Sequence, residues 1–396
     1  MTTIVIMTCS LAIGLFWILL PLIAVNRERK LRLLEPQGNE VPSRWPRVSI
    51  LVPARDEVTT LEASMASLLA LDYPDLEIIL IDDRSSDGTT ELVDRLAQED
   101  ARIRPLHIDR LPAGWLGKVH ALHRGLEICR GEWLLFTDAD VHFAPQTLRM
   151  AIGHCMIQNK DFLSLLPRLR EGAALVGAAQ AAIGTLLLAL MDSERIADPD
   201  SQRAMGVGAF NLARRQFLDA ENGLEWLRME VADDVGLALL MKQRGADIDL
   251  LSGRDLVEVD WYPSLDAMLD GVMQRMWIGA CYSPWRYALQ CGLLWLCLTA
   301  PLLLAIALSS STPLAWCIVS FYAIPSVILG IGLRRFPIPG RLLWLWPAGA
   351  LLIGYGMLRA LFTVWRRGGL YWRRSIYTLR DLRAGQRVRT DSFTNR

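Results

Sequence analysis

The sequence has no excess of either charge: 42 Lys and Arg residues stand against 42 Asp and Glu. That balance supplies no basic face for a nucleic-acid backbone, and no nucleic-acid partner is expected. Its seven cysteines form no CxxC pair and no metal-ligand spacing, so a reduced, cytoplasmic compartment is expected. Neither internal repeats nor low-complexity tracts divide the chain. Ile4–Val25, Ala288–Ser309 and Leu314–Leu333 contain no Asp, Glu, Lys, Arg or His. A transporter would want ionisable groups inside its spans, so their absence counts against transport.

What is present is apolar residue in long runs. Hydrophobic residues make up 52% of the chain and mean hydropathy is +0.25, high for a purely soluble protein. Those three runs are long enough to cross a bilayer, since ~20 helical residues span a ~30 Å hydrocarbon core. A cleaved leader is the other reading of Ile4–Val25, but its apolar stretch is too long and basic residues follow it rather than precede it. Arg27, Arg29, Lys30 and Arg32 after the first run, and Arg334, Arg335 and Arg341 after the third, place those flanks in the cytoplasm. The tail beyond Trp365, rich in arginine, should lie inside as well. A full crossing by Leu342–Leu358 would put it outside. That segment is short and holds Pro347, Gly349, Gly354 and Gly356, so a broken, re-entrant or interfacial course is expected. Ala173–Met191 is also free of charge, but a crossing there would part Asp138 from Asp234; a buried or in-plane helix packed through small residues is expected instead. The basic tail sets topology or touches anionic headgroups.

Between the apolar ends the pattern changes. Val48–Val52, Glu77–Ile81, Ile103–Ile108 and Trp133–Thr137 read as strands, alternating with helices over Leu61–Leu71, Thr89–Gln98 and Val119–Cys129. Such alternation indicates βαβ units and a mostly parallel α/β sheet, with ligands bound beyond the carboxyl ends of the strands. The expected divisions are an anchor and basic flank at 1–34, a cytoplasmic catalytic domain at 35–287, transmembrane or interfacial helices at 288–364 and a basic tail at 365–396.

Acidic clusters stand at the strand ends. Pro53-Ala54-Arg55-Asp56-Glu57 and Asp82-Asp83 through Thr89 can line a pocket for a base and ribose, because a carboxylate there accepts hydrogen bonds from ring N–H and hydroxyl groups. Capping of the next helix accounts for Asp87 and Thr89 but not for the Asp82-Asp83 doublet. Asp138-Ala139-Asp140 presents two carboxylates at i, i+2 just past an apolar strand, suited to one hard divalent cation and the phosphates it carries; a solvated acidic turn is the plainer alternative. Asp233-Asp234 opens a helix, where the dipole alone suffices to explain it, or supplies a general base for a hydroxyl. Lys118, after glycine at a helix start, reaches a phosphate or is a surface lysine. His120 and His123 read as core or surface histidines rather than metal ligands, and Gly206-Val207-Gly208 as close backbone packing. Met273–Arg286 mixes aromatics with arginine as an interfacial belt does, or covers the site at the membrane surface.

Taken in order, from Arg47 to Tyr287, these segments resemble family 2 glycosyltransferases of the GT-A fold. The likeness is to membrane-anchored members acting on lipids, similar to ceramide glucosyltransferase and the hopene-associated glycosyltransferases, through Gly114–Leu122, the Asp138-Ala139-Asp140 triplet and Tyr371-Trp372-Arg373-Arg374 with Tyr377. The resemblance implies a nucleotide diphosphate sugar donor, a UDP-sugar first, bound by Pro53, Ala54, Arg55, Glu57, Asp82, Asp83, Lys118, Asp138 and Ala139. It implies Mn2+ or Mg2+ at Asp140 with Asp138, and Asp234, beside Asp233, as catalytic base of an inverting transfer to a membrane lipid hydroxyl. The implied home is a bacterial-type inner or plasma membrane with the catalytic domain in the cytoplasm. Two departures stand out. The acidic pair is Asp-Asp where Glu-Asp is usual. The membrane-proximal Gln/Arg-x-x-Arg-Trp motif has Met276 before Trp277, with Arg275 as a substitute. The competing functions are a polysaccharide or polyprenyl-phosphate sugar transferase and a non-catalytic membrane scaffold with a nucleotide-binding fold.

Overall fold

A computed structural model describes residues 2–36, 42–170, 173–219, 222–262, 264–307, 323–333, 344–372 and 375–389. They form two compact units. An α/β unit holds Leu31–Arg170, Ser193–Trp261 and Ala384–Arg396; a helical unit holds Met1–Lys30, Glu171–Asp192 and Tyr262–Arg383. Residues 173–192 and 264–287 pack with the helical unit, and residues 384–389 with the α/β unit.

The helical unit opens with α1 (Thr2–Lys30). The α/β unit then builds β1 (Val48–Ala54), α2 (Leu61–Leu69), β2 (Leu76–Asp83), α3 (Thr89–Glu99), β3 (Ile103–Ile108), α4 (Gly117–Ile128) and β4 (Trp133–Phe136). These are the alternating elements expected from the sequence. Every residue of β1, β2 and β4 is buried, as continuous apolar runs require when both faces of a parallel sheet are covered. The chain continues through β5 (Val141–Phe143), α5 (Thr147–Ile157), β6 (Phe162–Leu166) and β7 (Arg168–Leu169), enters the helical unit as α6 (Ala174–Leu190), and returns with α7 (Ser193–Ala197), β8 (Asn211–Arg214), α8 (Asp233–Gln243), β9 (Ile248–Ser252) and β10 (Val257–Val259).

Seven strands form the main sheet in the order β3-β2-β1-β4-β8-β6-β9, and β5, β10 and β7 a second, small one. Pairs β1–β2, β1–β4, β2–β3 and β6–β9 are parallel; β8 runs antiparallel to both its neighbours. The expected mostly parallel α/β sheet is therefore present, with one reversed strand inside it. Residues after α1 cover the outer edge of β9: Leu33 bridges Ser252, and Arg32 pairs with Asp249 at 2.8 Å. An edge so covered offers no template for another chain. Val48, Ile50, Val52, Ile78, Leu80, Trp133, Leu135 and Leu212 lie at the centre of the core.

The helical unit goes on with α9 (Leu265–Arg275), α10 (Pro284–Ala307), α11 (Ile324–Gly332), α12 (Trp346–Arg367), the hairpin β11 (Leu370–Trp372) and β12 (Ser375–Tyr377), and α13 (Leu379–Gly385), which runs into the α/β unit. Ile4–Val25 lies within α1, whereas residues 314–322 of Leu314–Leu333 and all of Arg334, Arg335, Arg341, Arg373 and Arg374 lie outside the described residues. The expectation that proline and glycine break 342–358 is corrected. From Trp346 the segment is part of one 22-residue helix, because Pro347 sits in the first turn, where its missing N–H has no intrahelical partner to lose. Among the described residues α12 is the one helix long and apolar enough to cross a membrane. Its glycines permit close packing: a Cβ on Gly349 would lie 1.9 Å from the Ala178 carbonyl oxygen of α6. The small residues of α6, Gly177, Ala178, Ala179, Ala181 and Ala182, are buried.

Candidate active site

The carboxyl ends of β1, β2 and β4 bring the acidic clusters of the α/β unit together. Parallel pairing puts Pro53 and Ala54 beside Ile81 and Asp82. Beyond the strands, Asp56 and Arg84 take left-handed backbone angles, φ 55° and 58°, which turn the two loops toward each other. Ser86 N–H donates to Asp56 Oδ1 at 2.8 Å, and Asp56 N–H to Ser85 Oγ at 3.1 Å. Glu57 is taken up by the fold: Thr60 Oγ donates to its carboxylate at 2.9 Å, and its carbonyl accepts the Leu61 N–H at the head of α2. Asp87 accepts the Thr89 N–H at 3.1 Å, opening α3, as capping leads one to expect.

The Asp82-Asp83 doublet divides its work. Asp82 accepts from Ser85 N–H at 3.2 Å and Thr90 Oγ at 2.6 Å, with His107 Nδ1 at 3.4 Å. Burial alone would raise this carboxyl, but those hydrogen bonds outweigh it and hold it below the usual range. Asp82 therefore ties β2 to α3. Asp83, 3% exposed, receives a two-pronged contact from Arg84, Nε at 2.7 Å and Nη2 at 3.0 Å, while Arg55 Nη1 lies 3.8 Å away. The start of α4 comes so close to this pair that a Cβ on Gly117 would sit 2.5 Å from Asp83 Oδ2. A larger residue before Lys118 would therefore have to displace the Asp83–Arg84 contact.

Lys118 is the hub. Its ammonium lies 2.8 Å from Asp138 Oδ1 and 3.0 Å from Asp233 Oδ2. Burial alone would lower its pKa, but Asp138, Asp233 and Asp234 together hold it above the usual lysine range. Asp138 stands just past β4, and its backbone N–H donates to the Gly208 carbonyl at 3.2 Å. Gly208 in turn donates its N–H to Asp234 Oδ2 at 3.0 Å, and Val235 N–H donates to Oδ1 at 2.8 Å. A Cβ on Gly208 would lie 2.7 Å from Asp138 Oδ2. Four side chains that sequence reading singled out (Lys118, Asp138, Asp233 and Asp234) therefore meet around one glycine. A cavity whose lining includes Val119, Leu122, Phe136, Leu224, Leu227 and Leu237 lies against Lys118, Asp233 and Asp234.

Ala139 is buried and its carbonyl accepts from Ser64 Oγ at 2.5 Å, so this residue shapes the loop through its backbone. Asp140 precedes β5, half-buried. Among the described residues no three His, Cys, Asp or Glu side chains gather to hold an ion. Asp138 and Asp140 offer two oxygen donors on one loop, a set that fits Mg2+ or Mn2+ completed by phosphate oxygens rather than a protein cage. His120 and His123 belong to the packing. Trp115 stacks on His123 at 4.9 Å and meets His120 edge-on at 5.5 Å; burial holds the His120 imidazole below its ordinary pKa. Arg275 and Trp277 belong to the helical unit, where Trp277 is buried and stacks face to face on Tyr287 at 4.0 Å.

Sequence reading gave Gly208 a packing role only. Its N–H on Asp234 is the unexpected part, and no local pattern signals it. The Lys118–Asp233 pairing was equally unforeseen, since 115 positions separate them.

Residues 49–165 match the profile of Glycosyl transferase family 2. Among curated relatives, the beta-monoglucosyldiacylglycerol synthase of Synechocystis is 24% identical over 336 residues, 82% of this chain and 64% of that protein. The GalNAc(5)-diNAcBac-PP-undecaprenol beta-1,3-glucosyltransferase of Campylobacter jejuni is 30% identical over 130 residues, 30% of this chain and 41% of that one. The chain spans between about a third and two thirds of the length of these and another curated relative that it matches. A mannosyltransferase of Pyrobaculum calidifontis, solved with GDP-Man and Mn2+, superposes with a TM-score of 0.58 at 20% identity, over 89% of this chain and 99% of that one. At that identity the likeness is one of fold, and it is GT-A-like. Profile, sheet order and strand-end carboxylates agree: the chain carries a family 2 glycosyltransferase domain.

Proposed function

We propose that this protein is an inverting glycosyltransferase that moves a sugar from a nucleotide diphosphate donor, a UDP-sugar first, to the hydroxyl of a membrane lipid. The observation that carries this reading is the meeting of Lys118, Asp138, Asp233 and Asp234 at the strand ends of a family 2 domain. Asp83 with Arg55 faces the nucleoside, and Lys118 and Asp138 the sugar diphosphate. Asp140 with Asp138 would hold Mn2+ or Mg2+, which when bound supplies Lewis-acid stabilisation of the departing diphosphate.

Asp234 is the base. Two backbone N–H groups fix its carboxylate, and each carboxylate oxygen has two acceptor sites, so a hydroxyl proton can be taken without releasing them. As that proton moves to Asp234, the acceptor oxygen forms a bond to the anomeric carbon. The bond from that carbon to the diphosphate oxygen breaks on the opposite face. Asp233 is occupied by Lys118 and keeps the ammonium beside the diphosphate.

The lipid acceptor is supported from two sides. Relatives of this chain are named for diacylglycerol and undecaprenol glycolipids. The helical unit also presents apolar side chains outward, among them Leu19 and Ile23 of α1 and Leu289, Leu293 and Leu296 of α10, a surface suited to lipid. We place these helices in a bacterial-type inner or plasma membrane and the α/β unit in the cytoplasm, on the side of Arg27, Arg29, Lys30 and Arg32. In α12 Arg359 pairs with Asp266 and Asp270 at 2.9 and 3.0 Å. The charge-free part from Trp346 to Leu358 then covers only ~20 Å, which favours an interfacial course over a full crossing. A polyprenyl-linked acceptor is the second reading, favoured by the undecaprenol-linked relative.

A thermal-shift screen of nucleotide-sugars with and without Mn2+ identifies the donor, with ligand at 100 times its dissociation constant adding ~2.7 kcal/mol. Product analysis then separates a single glycosylated lipid from a polyprenyl-linked sugar or a polymer. Asp140→Ala and Asp234→Ala variants turning over at the wild-type rate would end the proposal, as would donor binding that ignores both metal and loss of Asp138.

A further inference from the structure

The residues that follow α13 lie against the α/β unit behind its acidic pair. Glu230, fully buried, stands three positions before Asp233 and accepts three backbone N–H bonds: from Ala232 at 2.9 Å, from Arg387 at 2.6 Å and from Val388 at 2.9 Å. Gln386 closes the turn by donating its Nε2 to the Val388 carbonyl at 2.7 Å. Arg387 donates Nε to the Trp226 carbonyl at 3.0 Å, and its guanidinium lies over the Trp226 ring at 5.2 Å. The Val388 side chain is fully buried against the first turn of α8, where a Cβ on Gly236 would meet Leu227 at 2.6 Å, Glu230 at 3.1 Å and Val388 at 3.8 Å.

A buried carboxylate holding three amides is not needed to bury apolar surface. It is costly to desolvate, and the contacts it makes fix backbone rather than side chains. Those contacts fall on the loop that leads into α8 and, through Val388, on the turn carrying Asp233 and Asp234. On the other side of that turn stand the 3.0 Å contacts of Asp233 with Lys118 and of Asp234 with the Gly208 N–H. The turn is thus held from two directions, one chemical and one purely structural.

We infer that Gln386–Val388, clasped by Glu230, form a strap that positions the acidic pair for reaction. Glu230 and Val388 are positioning residues, since neither reaches the Lys118 cluster itself. The inference rests on the reading of Asp234 as the base, and its test separates the two. Three full-length variants, Val388→Asp, Glu230→Ala and Val388→Ile, are compared with a chain ending at Gly385. Amide hydrogen exchange is followed at Gly208 and Val235, the two donors to Asp234, and steady-state kinetics are measured with donor and acceptor varied.

In Val388→Asp, Glu230→Ala and the truncated chain, exchange at both amides should quicken at least tenfold. Turnover should fall at least tenfold while donor KM stays within twofold; Val388→Ile should behave as wild type. A general loss of fold would instead quicken exchange throughout β1 and β2 and raise donor KM with it, and that result overturns the strap. Unchanged exchange at Gly208 and Val235 overturns it too. Quickened exchange in a protein whose Asp234→Ala variant is fully active leaves the strap standing and removes the base.

Discussion

The two units of this protein handle apolar surface in opposite ways. In the α/β unit, Val58 is the one large hydrophobic side chain that is exposed among the described residues; all the others lie in the helical unit, on α1, α6, α10, α11, α12, the β11–β12 hairpin and the residues just before α12. Buried charge occurs in both units: the helical unit buries Glu28 and Asp192, the latter paired with Arg27 at 2.7 Å. The α/β unit buries Asp82, Asp83, Glu77, Glu230 and Asp249, each with hydrogen-bond partners. In the helical unit, Trp17 donates its N–H to the Cys297 carbonyl and Trp295 to that of Gly354, both at 3.1 Å, while the buried N–H groups of Trp277 and Trp346 find no hydrogen-bond partner among the described residues. The helical unit turns apolar side chains outward and packs through glycine, alanine and indole.

The largest way to test that contrast is at the site itself. Asp234→Asn keeps shape but removes the base, so transfer should fall about 10²–10⁴-fold, while calorimetric donor affinity stays within twofold. Next comes Leu293→Arg, which puts a charge on the outward face of α10 and should cost ~2.5–3.5 kcal/mol of membrane insertion. Fractionation would show loss from the membrane pellet, whereas Val58→Arg on the α/β unit leaves partition unchanged; equal behaviour of the two variants would abolish the distinction drawn above.

Gly349→Ala is a smaller change. Its Cβ meets backbone, not a yielding side chain, so detergent-solubilised protein should lose ~1–3 kcal/mol with nucleotide binding intact. The smallest effect is expected from Asp82→Asn. The native carboxyl is held below its ordinary value, so it favours the folded state above pH ~4 and that contribution is lost as pH falls through the native pKa. The variant should lose ~1–2 kcal/mol at neutral pH and show a flatter acid limb in a melting-temperature profile.

Much of this was legible in advance. Strands β1 to β4 and helices α2 to α4 fall where apolar runs and turn residues put them, because a buried parallel strand needs an unbroken apolar stretch and leaves little else it can be. The acidic clusters stood out because paired carboxylates close a run of buried apolar strand, although Glu57, Asp82 and Asp87 turn out to serve the fold itself. Legibility failed where the chain returns to a place it had left. Reversed strand β8, the clasp of Glu230 on Val388 and the Gly208 amide on Asp234 involve segments with no local signature.

The sequence alone determined the strand–helix alternation, the strand-end carboxylates and the apolar ends, since each follows from short-range periodicity and from the cost of burying charge. Tertiary structure decided which carboxylates share a partner. Lys118 chooses Asp138 and Asp233 only after β4, α4 and α8 have been brought to one point, and that choice depends on distances of a few ångströms that no linear spacing encodes.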